Sequence, residues 1–559
     1  MTKINRVLTL IAIVTNILNA FFLYFFKLSP ILYNDTITNL LLLSSSIIYF
    51  MLLVYGTFLI EKSKDLFYLM PQSLVMAFTV RAIPNLRLSY PPLHDPYFYI
   101  TSVINIVDFG TLTPHLLKWY YQLDVLLSWP SLHILTSEII LLSNVDTIQI
   151  MRYFNPLMGC IFLISVYILS YEITEDLKTS FVASLLASMG DLCVFYQSEY
   201  HPQGYSLIIY LFLIYIFFKS KQKRSAINSS LLLLFVVSFV TIHHFSSIFL
   251  ALLFFEVLIF LYVVKYILPH GYLRNILTNE VKNIRLDINL VTFIVVFSIS
   301  YHLFVYPNVM EHFIISATSY SPLSAQLINV GKSVPLYKTL ISSSKWILFL
   351  LASISAINVI RKKENRMFLL LIILICILFA GILGNYVVNS PLDRIILFYI
   401  PVTSIFAAST IVSLDSAFSK KNVFRISFIF FIGLVLTAGV LNSQTPCYFF
   451  ENSDVNADYW YSNQMPNMEL YAATGFWIGN YTDIDSKYGT EFDTYIVSYF
   501  YASRPLENIS FVNNYQNIIS HYFIYNPKIP YEQDGLIMNK ELLFNHHKIY
   551  NNNELEIIV

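Results

Sequence analysis

The sequence predicts an all-α polytopic membrane protein of about 13 transmembrane helices, with interfacial helices in a long outer loop and a small external α/β domain at the C-terminus. Three observations carry that prediction. The chain is 56% hydrophobic and only 12% charged, with a mean hydropathy of +0.62, which excludes a soluble globular protein. Apolar runs of about 17 to 25 residues recur along most of its length, long enough to cross a bilayer as helices. Basic residues also fall on one side: with the N-terminus inside, roughly twenty lie in inner loops and about four in outer membrane loops.

The spans are placed near 7–28, 38–60, 66–83, 151–171, 180–196, 204–218, 227–243, 246–264, 288–305, 345–360, 367–386, 394–413 and 425–442. Lys3 and Arg6 precede the first run and no small-residue cleavage site closes it, so it reads as a retained helix. Inner loops then carry Lys62 and Lys64, the 219–224 run, Arg361 to Arg366, and Lys420, Lys421 and Arg425. This topology puts the N-terminus in the cytoplasm and the C-terminus outside the plasma membrane. It divides the chain into a membrane domain, 1–442, and an extracytoplasmic domain, 443–559. Cys160, Cys193, Cys376 and Cys447 show neither disulfide nor metal spacing.

The outer loop, 84–150, opens on Ser89-Tyr-Pro-Pro-Leu-His-Asp-Pro-Tyr-Phe98. Asp95 before Pro96 is a helix start, Asp at the N-cap and Pro at the first helical position. It is equally an acid displayed at a membrane edge beside His94. From there to Val107 the spacing of Tyr97, Ile100, Ile104 and Val107 predicts an amphipathic helix ended by Gly110. A second segment, from Thr113, carries Trp119, Tyr120, Tyr121 and Trp129, and a third runs from Pro130 through Leu132 to Leu142. Tyr and Trp favour the membrane–water boundary, so 131–144 is expected to lie along the interface without crossing.

Further polar residues gather in outer turns. Gln197 to Gln203 holds Glu199 and His201, a carboxylate and an imidazole able to take a divalent metal such as Mg or Mn, or simply solvated loop residues. His243 and His244 are candidate substrate contacts or helix caps. Arg394 stands where positive charge is scarce: a guanidinium suits a lipid phosphate, and it equally suits Asp393 or a headgroup. Glu256 is an acid in mid-helix, a functional candidate or a protonated side chain bonded to a neighbour.

The tail changes composition, with roughly fourteen acids to five bases. Asp458 to Tyr461 reads as a short helix, Tyr495 to Phe500 as a strand, and 547–559 as a hairpin. Asn34, Asn480 and Asn508 begin glycosylation sequons on the outer side.

Several stretches, most of them within 89–250, resemble the GT-C superfamily of membrane glycosyltransferases, in its archaeal branch related to protein O-mannosyltransferases and aminoarabinose transferases. They are His94 to Tyr99, Gly110 with Pro114, Trp129 to Leu135, His201-Pro-Gln203, and Thr241-Ile-His-His-Phe-Ser-Ser247. The resemblance implies a catalytic acid near the start of the first outer loop, matching Asp95. It implies a second acidic position in the next outer loop, nearest to Glu199, and a late outer arginine on the lipid phosphate of the donor, matching Arg394. His94, Gln203, His243 and His244 become candidate substrate contacts. Neither outer loop holds an Asp-x-Asp pair, two extra helices precede the family's usual first one, and the tail lacks the Trp-Trp-Asp-Tyr-Gly motif of oligosaccharyltransferases.

The resemblance implies transfer of a sugar from a polyprenyl- or dolichyl-phosphate donor to a protein, lipid or glycan hydroxyl in the cell envelope, with inversion and no nucleic-acid partner. A transporter or lipid-handling protein, with Glu256 and His302 on a path through the bilayer, is the alternative reading; an inactive scaffold of the same fold is another.

Overall fold

The computed structural model describes residues 63–87, 129–198, 200–222, 226–263, 284–305, 344–362, 365–388 and 392–418. It also describes five short strands between 488 and 558 and a few isolated positions. The chain forms two compact units, Met1–Arg87 with Arg152–Phe450, and Leu88–Met151 with Glu451–Val559.

The first unit is helical. Its elements are α1 (Ser63–Arg87), α3 (Thr147–Thr174, whose start belongs to the other unit), α4 (Leu177–Ser188), α5 (Asp191–Ser198), α6 (Pro202–Gln222) and α7 (Ala226–Val240). They continue with α8 (His244–Tyr262), α9 (Ile284–Phe304), α10 (Ser344–Lys362), α11 (Asn365–Val388) and α12 (Leu392–Phe418). Helix α12 packs on α4 and α10, where the Thr410 hydroxyl donates to Leu351 O across 2.8 Å, and α8 packs on α9 and α11. At the centre Phe398 stacks on Phe249 at 4.9 Å and meets Tyr210 edge-on at 5.1 Å. These rings are buried without charge and lock α6, α8 and α12 together.

The outward surface is also apolar. Val296, Ile299 and Leu303 on α9, and Leu350, Ile354 and Ile357 on α10, are exposed at helical spacing, as lipid contact requires. Among the described residues α3, α6 and α12 contain spans long and apolar enough to cross a membrane, and α4 with α5 makes a fourth if a bent pair counts as one. These are the helices of an integral membrane protein. The spans expected at 7–28, 38–60 and 425–442 lie outside the described residues, save Val14, Gly56, Ile432 and Gly433.

One expected span differs in kind. The sequence predicts a continuous helix over 180–196, but the structure bends by 69° between α4 and α5. The Met189 amide still donates to Leu185 O, whereas the Gly190 amide turns back to Ala187 O at 3.2 Å. A Cβ at Gly190 would come within 2.9 Å of Ile400 on α12, so glycine admits the close approach there. Apolar composition hid the break, because a bent helix buries the same residues as a straight one.

In the second unit, α2 (Ser131–Ser143) is a short apolar helix of 13 residues, less than a bilayer crossing needs. Asn144 closes it at φ 53° with its amide on Ile140 O. Tyr99, Ser102, Val103, Ile106 and Val107 are helical, and Gly110 ends that stretch at φ +65°. Ser137 of α2 donates to Val103 O, and Tyr99 stacks on His133 at 6.1 Å. Of the expected apolar face, Tyr97, Ile100 and Ile104 lie outside the described residues and Val107 is half-buried; among the described positions Ser102 and Val103 are buried.

The strands form a mixed sheet in the order β2-β1-β3-β5-β4: β1 (Tyr488–Thr490), β2 (Ile509–Phe511), β3 (Tyr522–Tyr525), β4 (Lys548–Asn551) and β5 (Glu556–Ile558). Strand β1 is parallel to β2 and β3, while β5 runs antiparallel to β3 and β4, so the terminal segment is a hairpin. The expected helix at 458–461 and strand at 495–500 lie outside the described residues.

Candidate functional site: a buried polar cluster at two helix starts

Polar side chains inside an apolar bundle require partners. In the first unit they concentrate where α6 and α8 begin. Pro202 opens α6, a position where its missing N–H costs nothing. Just before it, His201 turns its ring inward and accepts the Gln203 backbone N–H on Nδ1 at 3.1 Å. His243 does the same for α8: it is the N-cap, and its Nδ1 lies 3.4 Å from the Ser246 amide and 3.3 Å from the Ser246 hydroxyl. Imidazole replaces the usual Ser, Thr, Asn or Asp at both caps. With Nδ1 accepting, each neutral ring carries its hydrogen on Nε2. The two rings are buried, 6.1 Å apart.

The helices are joined by hydroxyls. Ser206 of α6 donates to Gln203 O at 2.9 Å, so across its 3.1 Å contact with Ser246 of α8 the Ser246 hydroxyl is the donor. One residue on, the Ser247 hydroxyl meets His302 Nε2 of α9 at 2.5 Å. From α3, Asn155 donates to His201 O at 3.1 Å and lies 3.5 Å from Tyr196 O. Asn155 of α3 thus holds the turn before α6, while hydroxyls tie α6 to α8 and α8 to α9. Gly204 completes the packing: a Cβ there would stand 2.4 Å from Tyr196 O.

Some polar capacity is left over. Neither amide atom of the fully buried Gln203 has a partner among the described residues, nor has Nε2 of Gln197. An unmet buried amide is costly, so these atoms mark places where a hydroxyl, a water or a further residue completes the bonding.

Of the sequence-predicted residues, His201, Gln203 and His243 come together here. Asp95, His94 and Glu199 lie outside the described residues, and so do the side chains of His244 and Arg394, which stand in the first turns of α8 and α12. For His243 the capping alternative is what the geometry displays. Among the described residues no group of three His, Cys, Asp or Glu side chains could hold a metal ion. A cation bound by His201 or His243 would have to be taken on Nε2, because Nδ1 is occupied. Glu256, half-buried on α8, has no hydrogen-bond partner among the described residues, and the His302 Nε2 is tied to Ser247.

Sequence reasoning passed over Asn155 and Ser206, small polar residues in apolar helices with no motif, and gave Ser246 no role beyond its place in the Thr241 to Ser247 stretch. It also passed over Arg81. That residue offered a signal, since a charge in an apolar helix is rare.

No family model matches this sequence, and no curated protein matches it. Among solved structures the fold is similar to ArnT from Cupriavidus metallidurans bound to undecaprenyl phosphate. The TM-score is 0.53 at 9% identity, covering 89% of this chain and 98% of that one. The apo state of the same protein gives a TM-score of 0.45 at 9% identity, over 83% and 92% of the two chains. At that identity the likeness shows the fold alone, an ArnT-like arrangement of membrane helices.

Proposed function

We propose that this chain is a membrane glycosyltransferase of the GT-C type that moves a sugar from a polyprenyl-phosphate-linked donor to an acceptor hydroxyl. The observation that carries the reading is the ArnT-like fold over 89% of the chain, together with a buried cluster of imidazoles, amides and hydroxyls in an otherwise apolar bundle. ArnT with this fold binds undecaprenyl phosphate, and a long apolar polyprenyl chain is at home beside helices with exposed Val, Ile and Leu faces.

In the proposed reaction the acceptor oxygen attacks the anomeric carbon. Asp95 takes the hydroxyl proton, the new C–O bond forms, and the bond between the anomeric carbon and the phosphate oxygen breaks, its electrons leaving with the lipid phosphate. Arg394 stabilises that phosphate charge. One displacement inverts the anomeric centre. The turn with Glu199 and His201 would hold a divalent cation, and Gln203, with a donor and an acceptor both unmet, suits a sugar hydroxyl, which offers both. The donor chemistry places the reaction on the outer face of the membrane, where water-soluble nucleotide sugars are not at hand.

The test is sugar release from radiolabelled undecaprenyl-phosphate-linked mannose and glucose by the purified protein in liposomes, comparing wild type with Asp95→Asn. Turnover that falls by about a hundredfold or more in the variant, with donor binding retained, supports Asp95 as the base. Equal turnover in both would remove Asp95 from that role.

A further inference from the structure

Arg81 sits in α1 and is fully buried, an always-charged group inside an apolar bundle. Such a charge is tolerated only with hydrogen bonds around it. Its Nη1 donates to Ala77 O of its own helix at 3.0 Å. The other two bonds reach across the fold: Nη2 donates to Ser188 O at 2.7 Å, and Nε donates to Gln197 Oε1 at 2.9 Å.

The space for this side chain is built by sequence. On α3, a Cβ at Gly159 would lie 2.2 Å from Arg81 Cδ and 2.3 Å from Nε, so any larger residue there would displace the guanidinium. Ser188 is the last residue of α4, where the carbonyls of a helix end carry partial negative charge and lack intrahelical donors. Gln197 lies near the end of α5, on the far side of the 69° bend, at the entry of the turn that runs to Gln203. One planar fork thus grips both sides of the bend. A lysine ammonium could not meet both acceptors with the same geometry.

We propose that Arg81 is a positioning residue for the 197–203 turn, acting through Gln197, in addition to closing the end of α4. The proposal rests on the reading of that turn as part of the glycosyl-transfer site. Two features single out the turn as the target. Its far end is held independently by Asn155, on His201 O, so Gln197 and His201 are each bonded by a side chain from another helix. In addition, accepting from Arg81 fixes which way the Gln197 amide faces, and that leaves Nε2 as a donor without a partner among the described residues.

The two arms of the fork can be separated. Gln197→Leu removes the bond to the turn and leaves the guanidinium on two carbonyls; Arg81→Met removes all three bonds and is the variant at risk of not folding. Hydrogen–deuterium exchange on full-length protein in liposomes reads both regions. In Gln197→Leu the amides of 196–204 should exchange about tenfold faster or more, while 185–192 stay at wild-type rates. In Arg81→Met or Arg81→Lys both segments should speed up. Unchanged exchange over 196–204 in Gln197→Leu, or a uniform rise across all helices, would overturn the proposal.

The activity arm uses undecaprenyl-phosphate-linked mannose and glucose. Gln197→Leu should lower kcat by about tenfold with KM within about twofold, the signature of a misplaced group. Wild-type kcat in Gln197→Leu despite a loosened turn would overturn the link to transfer. If wild type itself releases no sugar while the exchange pattern holds, the glycosyltransferase reading fails and the positioning of the turn by Arg81 stands.

Discussion

Helix α4 is joined to its neighbours in two unlike ways. At its first end, Asp176 caps the helix: its carboxylate accepts from the Thr179 amide at 2.8 Å and from the Thr179 hydroxyl at 2.6 Å. The charges around that corner pair near the surface. Lys219 meets Glu172 at 2.5 Å, and Arg366 meets Glu175 at 2.7 Å while also donating to Glu172 O. At its other end the Met189 and Gly190 amides turn back onto Leu185 O and Ala187 O, and the carbonyl of Ser188 takes its side-chain donor from afar. Ser188 O depends on Arg81, 107 residues away in sequence, and the turn beyond depends on Asn155, 46 residues before His201. A helix end that reaches water can use its own side chains; one buried among helices must borrow partners from them.

The difference predicts a gradient of stability effects, read as unfolding of the purified protein in detergent. The largest is at Gly204. Valine there would drive its Cβ to 2.4 Å from a backbone oxygen that cannot swing aside, and a loss of about 3 kcal/mol is expected. Asn155→Leu comes next at about 1.5 kcal/mol, since it takes the stronger of two donors from the buried His201 carbonyl and leaves it the Gly204 amide at 3.2 Å. At the Asp176 end the effects shrink. Asp176→Ala removes a cap and should cost about 1 kcal/mol. Glu175→Gln breaks only a pair whose carboxylate side chain is 70% exposed, so a change within about 0.5 kcal/mol is expected, vanishing in high salt. A Glu175 effect as large as that of Asn155 would break the comparison. A measured order that follows the one given would sharpen it.

The same contrast explains what was legible. His201, Gln203 and His243 stand in polar turns between apolar runs, where hydropathy alone marks them as outside a span. Their mutual approach was not legible: nothing in the spacing of 201 and 243 puts two rings 6.1 Å apart, since that depends on how α6 packs against α8. His243 as a cap could be read from its place before Phe245 and Ser246, although histidine is not a usual cap. Arg81 and Asn155 lay within apolar segments and were read as part of them. The bend at Gly190 was hidden for a related reason. Helix-forming composition continues on both sides of the glycine, and the corner rests on the close approach to Ile400 that Gly190 admits and on the guanidinium at Ser188.

By itself, then, the sequence determined the solvent of this protein and the rough places of its helices and turns. Those follow from hydropathy and local propensity, which act over neighbouring residues. The tertiary structure alone decided that α4 and α5 form a corner, that two histidine caps face one another, and that one buried arginine links the corner to the turn. Each of these depends on contacts between residues about 40 or more positions apart, whose free energy exists only once the helices have packed.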